Sequence, residues 1–206
     1  LGTGEYTWRF WGKKCNHSLN YDLGYKQFAL RFEMPEPQAK QLVDRFHRVY
    51  PGIRQYHAWV RAQLGAGGTL TNCFGRKRVF LSKWGDDLFK EAYSWTPQST
   101  IADKMNEEGI NFIYFNQQYF HFLELLNQIH DSLVFQIPID VGFEQHADML
   151  LRIKQSLEQP IPWHDSSFTI PLDFKMTSVS MGDMKSVEIN TDETIKGLAD
   201  KLYGVY

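Results

Sequence analysis

Leu42, Val43, Phe46 and Val49 recur at intervals of three and four, the spacing of one helical face, and predict a helix over residues 38–49 that follows Pro35 and Pro37. The same period predicts a first helix from Tyr6 to about Leu19. It also predicts a helix over 52–64 with Pro51 in its first turn and Gly65-Ala66-Gly67-Gly68 at its end. Over 143–157, Met149, Leu150, Ile153 and Leu157 again share a face. A short break at 20–24 separates the first helix from an apolar-rich segment, 25–34. Residues 98–126 read as a long, broken helical region whose aromatic positions Phe112, Tyr114, Phe115, Tyr119, Phe120 and Phe122 are expected in the core. Alternating stretches predict strands over 69–74 and 78–81, a hairpin with the cationic tip Gly75-Arg76-Lys77. Two more, 125–129 and 133–137, flank His130-Asp131, and 168–179 reads as a last strand or pair of strands. Residues 189–206 are expected as a tail with a short amphipathic helix capped near Thr191 or Asp192.

Composition narrows the class without naming a function. In 206 residues, 43% hydrophobic and 15% aromatic content supports a sizeable core, in one large domain or two small ones. Cys15 and Cys73 lie far apart with no metal-ligand spacing, so they read as reduced intracellular thiols rather than a disulfide or zinc site. No stretch approaches the roughly 18 to 20 apolar residues of a membrane span, and the opening LGTGEYTWRF lacks a signal-peptide layout. A soluble, cytoplasmic protein is expected. The chain opens on Leu1 rather than Met and reads as the middle of something longer. Its net charge of −2 hides an asymmetry: residues 1–90 carry 15 Lys/Arg against 7 Asp/Glu, +8, and residues 91–206 carry 7 against 17, −10. A basic half suits phosphates, although ordinary charge scatter also produces such a split.

Chemistry enters with Arg9, Lys13, His17 and Tyr21, four residues apart and therefore neighbours on one helical face. Arg presents a planar fork of donors and Lys a compact point charge, and together they suit the non-bridging oxygens of a triphosphate; the ring residues suit a flat base. Two cations at this spacing alone describe a solvated basic face. Asp131 lies at the turn of an apolar hairpin, where burial of a carboxylate is costly unless a cation or donor meets it. Magnesium, a hard ion that binds one or two carboxylates plus phosphates, answers that need. Ordinary turn chemistry also places Asp there.

The pattern R-x3-K-x2-N-H-x3-Y formed by Arg9, Lys13, Asn16, His17 and Tyr21 resembles the nucleotide-binding fingers helix of family A DNA polymerases. QIHDSLVF, residues 128–135, resembles that family's second catalytic carboxylate motif. Residues 69–81 resemble its G-R-R/K-R hairpin, Lys90, Gln98 and Asp103 stand at the spacing of its R-x7-Q-x4-D helix, and FTIPLDF and MGDM resemble the final palm strand and the C-terminal G-x-x-W region. The resemblance implies that Arg9 and Lys13 bind the phosphates of the incoming dNTP, that His17 stacks near its sugar and base, and that Tyr21 lies at the helix hinge beside the templating base. It further implies that Asp131 holds Mg2+, with Mn2+ as a substitute, and that Gln98, His130, Arg76 and Arg78 contact primer–template DNA, the arginines serving DNA contact or internal ion pairing. Asp131 and Lys13 are then the catalytic residues.

The implied fold is α+β: a mostly helical fingers part, 1–85, the C-terminal part of a palm, 86–188, whose antiparallel hairpin carries the catalytic Asp, and a tail, 189–206. Departures are specific. His17 stands where Phe or Tyr is common, Ser18 and Asp22 where glycines are usual, Lys90 for Arg, Ser132 for Glu and Met184 for Trp, and Pro97 interrupts a helix entrance that is normally apolar. They look more like a viral or phage branch than a bacterial repair polymerase. The first catalytic Asp, from a D-Y-S-x-I-E-x-R motif, is not among these residues. Two-metal phosphoryl transfer needs carboxylates that clamp both ions. The chain alone is therefore expected to be inactive, completed by an upstream segment or a separate polypeptide. A catalytically silent DNA-binding accessory subunit is the alternative. A metal-dependent nuclease would need further carboxylates clustered near Asp131, and none stands at close spacing.

Overall fold

The structure, a computed structural model, describes residues 7–205. Tyr6 and Tyr206, limits of the expected first helix and tail, lie outside the described residues. The chain is α+β and divides into two compact units, Leu1–Ser99 and Thr100–Tyr206.

The first unit opens with α1 (Trp8–Asn20), capped by Thr7, whose hydroxyl accepts from the Phe10 amide at 3.2 Å. The apolar-rich segment after it is a two-turn helix, α2 (Tyr25–Arg31); α3 (Glu36–Val49) and α4 (Pro51–Gly67) each carry proline in the first turn. Gly68 ends α4 in the left-handed conformation, φ +62°, and its amide donates to the Leu64 carbonyl at 2.8 Å. Strands β1 (Thr69–Thr71) and β2 (Lys77–Val79) pair antiparallel. Asn72 organises the loop between them: its Oδ1 accepts from the amides of Phe74 at 3.0 Å and Arg76 at 2.9 Å, and Gly75 adopts φ +82°. Lys77 is thus a strand residue paired with Thr71 rather than part of the tip.

Helix α5 (Asp86–Lys104) begins well before Gln98, where a helix is predicted, and runs through Pro97. A mid-helix proline costs about 3 kcal/mol, in part because it cannot donate to the carbonyl four residues back. That carbonyl belongs to Tyr93, and the Tyr56 hydroxyl of α4 donates to it at 2.9 Å. Its partner is 37 residues away, so no local pattern reveals that Pro97 can sit inside a helix. Burial, the main cause, pushes the Tyr56 phenol up to about 12. Stability is therefore undiminished below pH 10 and falls, by at most about 2.7 kcal/mol, as pH rises from 10 through 12. Tyr56→Phe is expected to lower stability by about 1–3 kcal/mol at pH 8, since the Tyr93 carbonyl loses its donor. It should also remove this increment of alkaline instability. Urea unfolding midpoints measured from pH 8 to 12 check both, and identical midpoints for the two chains at pH 8 would refute the bond's role.

The second unit continues α5 into a π-helix (Met105–Asn111) and two single turns, α6 (Phe112–Phe115) and α7 (Gln117–Phe120). The changes of helical pitch break the expected aromatic face. Phe112, Phe120 and Phe122 belong to the core, whereas Tyr114, Phe115 and Tyr119 are 65%, 72% and 45% exposed. Strands β3 (Glu124–Ile129) and β4 (Ser132–Gln136) form the hairpin of His130-Asp131, and α8 (Phe143–Leu157) matches its predicted limits. The segment expected as one late strand region contributes to two hairpins. In one, β5 (Ile161–Trp163) pairs with β6 (Ser166–Phe168); in the other, β7 (Phe174–Met176) pairs with β8 (Lys185–Val187). Three-residue strands are too short to show a period.

The expected tail is not peripheral. Helix α9 (Ile195–Tyr203), capped by Thr194, buries Leu198 and Leu202 completely in the cluster that holds Ile113, Phe120, Leu150 and Ile153. The π-helix packs on the Asp131 hairpin through Gly109, where a Cβ would lie 2.8 Å from Leu133 Cδ1. Ser156 of α8 donates to the Glu108 carbonyl at 2.6 Å and pins that turn.

Candidate functional site

Amphipathicity decides which way the ladder on α1 faces. Leu19 and Ser18 are buried and Trp11 and Cys15 half-buried, so the opposite face, with Arg9, Lys13, Asn16 and His17, is exposed. Neither Arg9 nor Lys13 makes an ion pair among the described residues, whereas Lys14 lies within 5.1–5.8 Å of the ring centres of Trp11, Phe10 and Phe32. His17 and Tyr21 meet edge to face at 4.7 Å, and Tyr21, half-buried, packs against the cluster of Val60, Leu64 and Tyr93. Two free cations beside two rings can meet a polyphosphate and a flat base. Asp22 adopts φ +62° and its carboxylate pairs with Arg54 and Arg61 of α4, so an acid occupies a left-handed position that favours glycine.

Elsewhere in the first unit, Arg78 pairs with Glu91 and lies over the Phe80 ring at 4.8 Å; both partners of the pair stay about two-fifths exposed. Arg76 is exposed on the Asn72 loop, and Gln98 is exposed on α5, one residue past Pro97.

In the second unit, Ile129 pairs with Ser132, which leaves His130-Asp131 as a two-residue turn. His130 takes φ +54°, a conformation in which His is enriched, and the Ser132 hydroxyl donates to the Ile129 carbonyl at 2.9 Å. A bulge at Leu126 shifts the register of β3. Leu125, Leu133 and Phe135 pack on the core, and Asp131 at the tip is exposed, without an ion pair among the described residues. The burial cost expected for this carboxylate therefore does not arise in this unit. Asp131 borders an open groove of about 850 Å³ lined by Ile129, Leu133, Phe135, Met181 and Met184. No group of three or more His, Cys, Asp or Glu side chains able to hold a metal occurs among the described residues. Asp131 thus fits as one ligand of a hard cation, not as a whole site.

The tripeptide His-Asp-Ser recurs at 164–166, and the structure gives it the same form. His164 takes φ +51° in a two-residue turn between Trp163 and Ser166, whose hydroxyl donates to the Trp163 carbonyl at 3.2 Å. His130 therefore shares its setting with His164, and the signal was a plain repeat in the sequence. His-Asp-Ser is a way of closing hairpins, so the turn alone does not assign chemistry to Asp131.

Comparison with known proteins gives the context. Residues 5–182 match the family model described as DNA polymerase family A. The chain is 22% identical over 189 residues to DNA polymerase I of Synechocystis sp., covering 80% of this chain and 18% of that protein. It is 24% identical to DNA polymerase theta of Drosophila melanogaster, over 61% of this chain and 7% of that one. Its fold is similar to that of the POL domain of Pol1 from M. smegmatis, solved in complex with DNA primer-template and dNTP. That likeness has a TM-score of 0.64 and 20% identity, over 75% of this chain and 28% of that chain. The chain therefore spans less than a fifth of the length of these curated relatives.

Proposed function

Because the chain belongs to DNA polymerase family A, we propose that it serves template-directed DNA synthesis as the C-terminal part of such an enzyme, with primer–template DNA and dNTPs as its partners. Residues 1–85 are then part of the fingers, 86–188 the C-terminal part of the palm and 189–206 a tail. The observation that carries the reading is the exposed Arg9–Lys13–His17 face of α1, whose two cations make no ion pair among the described residues, in a chain of this family. In the reaction the primer 3'-hydroxyl attacks the α-phosphorus of the dNTP and pyrophosphate departs. Arg9 and Lys13 hold the phosphates and balance the charge that gathers on the leaving group. His17 and Tyr21 present their rings to the nucleotide and the templating base, and Gln98, His130, Arg76 and Arg78 meet the DNA.

Asp131 holds one side of a magnesium site, for which manganese can substitute. A divalent ion bound there supplies charge neutralisation at the reacting phosphate. The second carboxylate comes from an upstream segment or a separate polypeptide, and this chain alone is inactive. Support for such a partner is the apolar groove beside Asp131 and the exposure of Leu126, Ile129 and Ile139, at 55%, 41% and 62%. Phage origin and the cytoplasm of a bacterial host are part of the proposal; among the described residues no helix is long and apolar enough to cross a membrane.

Magnesium-dependent single-nucleotide extension of a primer–template by the complete polymerase, with and without this chain, tests the reading. Extension only in its presence is the expected result. Salt-dependent DNA binding with extension unaffected by the chain would favour an accessory subunit instead.

A further inference from the structure

Three residues of α4 close on the end of α1. Arg54, His57 and Arg61 stand at i, i+3 and i+7, one face of a helix. His57 is 3% exposed and its Nε2 lies 2.8 Å from the Asn20 carbonyl, one of the terminal carbonyls that α1 cannot satisfy internally. A carbonyl only accepts, so the proton is on Nε2. The imidazole stacks on Tyr93 at 4.0 Å, and burial, the largest cause, pushes its pKa down and keeps it neutral. On the far side of Tyr21, Arg54 and the Arg61 Nη2, at 3.1 Å, take one oxygen each of the Asp22 carboxylate. Arg61 is itself braced, donating from Nε to the Tyr93 hydroxyl at 2.5 Å and lying over Phe89 at 4.8 Å. Half-exposed ion pairs contribute little to stability, so what this arrangement supplies is direction. The carboxylate is gripped from both sides while the backbone holds φ +62°.

We infer that Arg54, His57 and Arg61 form a clasp on Asn20 and Asp22 that fixes Tyr21 between them, and that they are positioning residues for nucleotide selection. The inference rests on reading α1 as the nucleotide-binding helix. Tyr21 meets His17 edge-on, so play at residues 20–22 reaches the ring pair that faces the nucleotide. A misplacement of about 1 Å can cost roughly 100-fold in rate. Glycine, usual at the Asp22 position in the family, would leave that joint loose; the aspartate, with its two arginines, tightens it in this chain.

The test is incorporation of matched and mismatched dNTPs by the complete polymerase carrying Asp22→Asn, His57→Phe, His57→Gln or Lys13→Ala. Asp22→Asn weakens the grip at a partly buried carboxylate outside the hydrophobic core. His57→Phe keeps the stack on Tyr93 and loses the donor, which Gln restores. Asp22→Asn and His57→Phe are expected to raise KM for the matched nucleotide roughly 10-fold and to narrow discrimination against mismatches by a similar factor, with primer–template affinity retained. His57→Gln should return KM toward wild type. A lowered melting temperature with KM and discrimination unchanged would mean a merely structural role and overturn the inference. Should His57→Phe fail to fold, Asp22→Asn decides. If Lys13→Ala raises KM and the clasp variants do not, the clasp alone is wrong; if Lys13→Ala also leaves KM unchanged, the reading of α1 falls and the clasp with it.

Discussion

Asp131→Ala is expected to lower single-nucleotide extension by the complete polymerase at least ~10³-fold, about 4 kcal/mol of transition-state stabilisation, while DNA binding persists. The carboxylate is exposed at the tip of β3–β4 and has no ion pair among the described residues, so its loss breaks nothing that holds this unit together. The hairpin keeps its other fastenings. These are the Ser132 hydroxyl on the Ile129 carbonyl, and Leu125, Leu133 and Phe135 against the core. The recurrence of His-Asp-Ser supplies the control, because Asp165 occupies an equivalent turn of β5–β6. Asp165→Ala should leave extension at the wild-type rate. Equal losses in both variants would point to hairpin stability rather than metal binding, and unchanged extension in Asp131→Ala would show the metal assignment to be wrong.

Lys13→Ala should reduce kcat/KM for the dNTP roughly 100-fold, the loss of a charge-assisted contact of about 1.5–3 kcal/mol with a phosphate. Lys13 is exposed, and among the described residues no acid competes for it. Lys13→Arg retains the charge but replaces a point donor by a planar fork, and partial activity is expected. The neighbouring Lys14 separates this effect from general basicity, because its ammonium lies over three aromatic rings. Lys14→Ala should therefore change kcat/KM far less. Pre-steady-state incorporation with a fixed primer–template measures all three. Equal effects for Lys13 and Lys14 would reduce the ladder to a basic face.

Much of this was legible in the chain itself, unevenly and for physical reasons. Residues 143–157 carry a full helical stripe, and α8 has those limits, because a long amphipathic face is a dense local signal. The four-residue spacing of Arg9, Lys13 and His17 likewise predicts one face, and α1 turns it outward because Leu19 and Ser18 go inward. Pro97 misled, since proline marks a boundary unless something remote satisfies the carbonyl that it orphans, as Tyr56 does. The outward turn of Tyr114, Phe115 and Tyr119 follows from a π-helix, which shifts the phase of every later side chain and which composition does not announce. Ser18 lies buried where glycine is usual, and nothing in the structure explains its hydroxyl, which has no hydrogen-bond partner among the described residues.

What the sequence determined alone was whatever depends on neighbours within a turn or two: the ladder's common face, the His-Asp turn, the caps at Pro51 and Gly68, and the ordered motifs of its family. The tertiary structure decided where the remote partners stand. It set Arg54, His57 and Arg61 against residues more than thirty positions earlier, and made Gly109 a seat for Leu133. It also drew Leu198 and Leu202 into a core that the tail's composition only hints at. Local rules follow from backbone geometry, which every residue carries with it; a contact across the chain exists only once packing has chosen which surfaces meet.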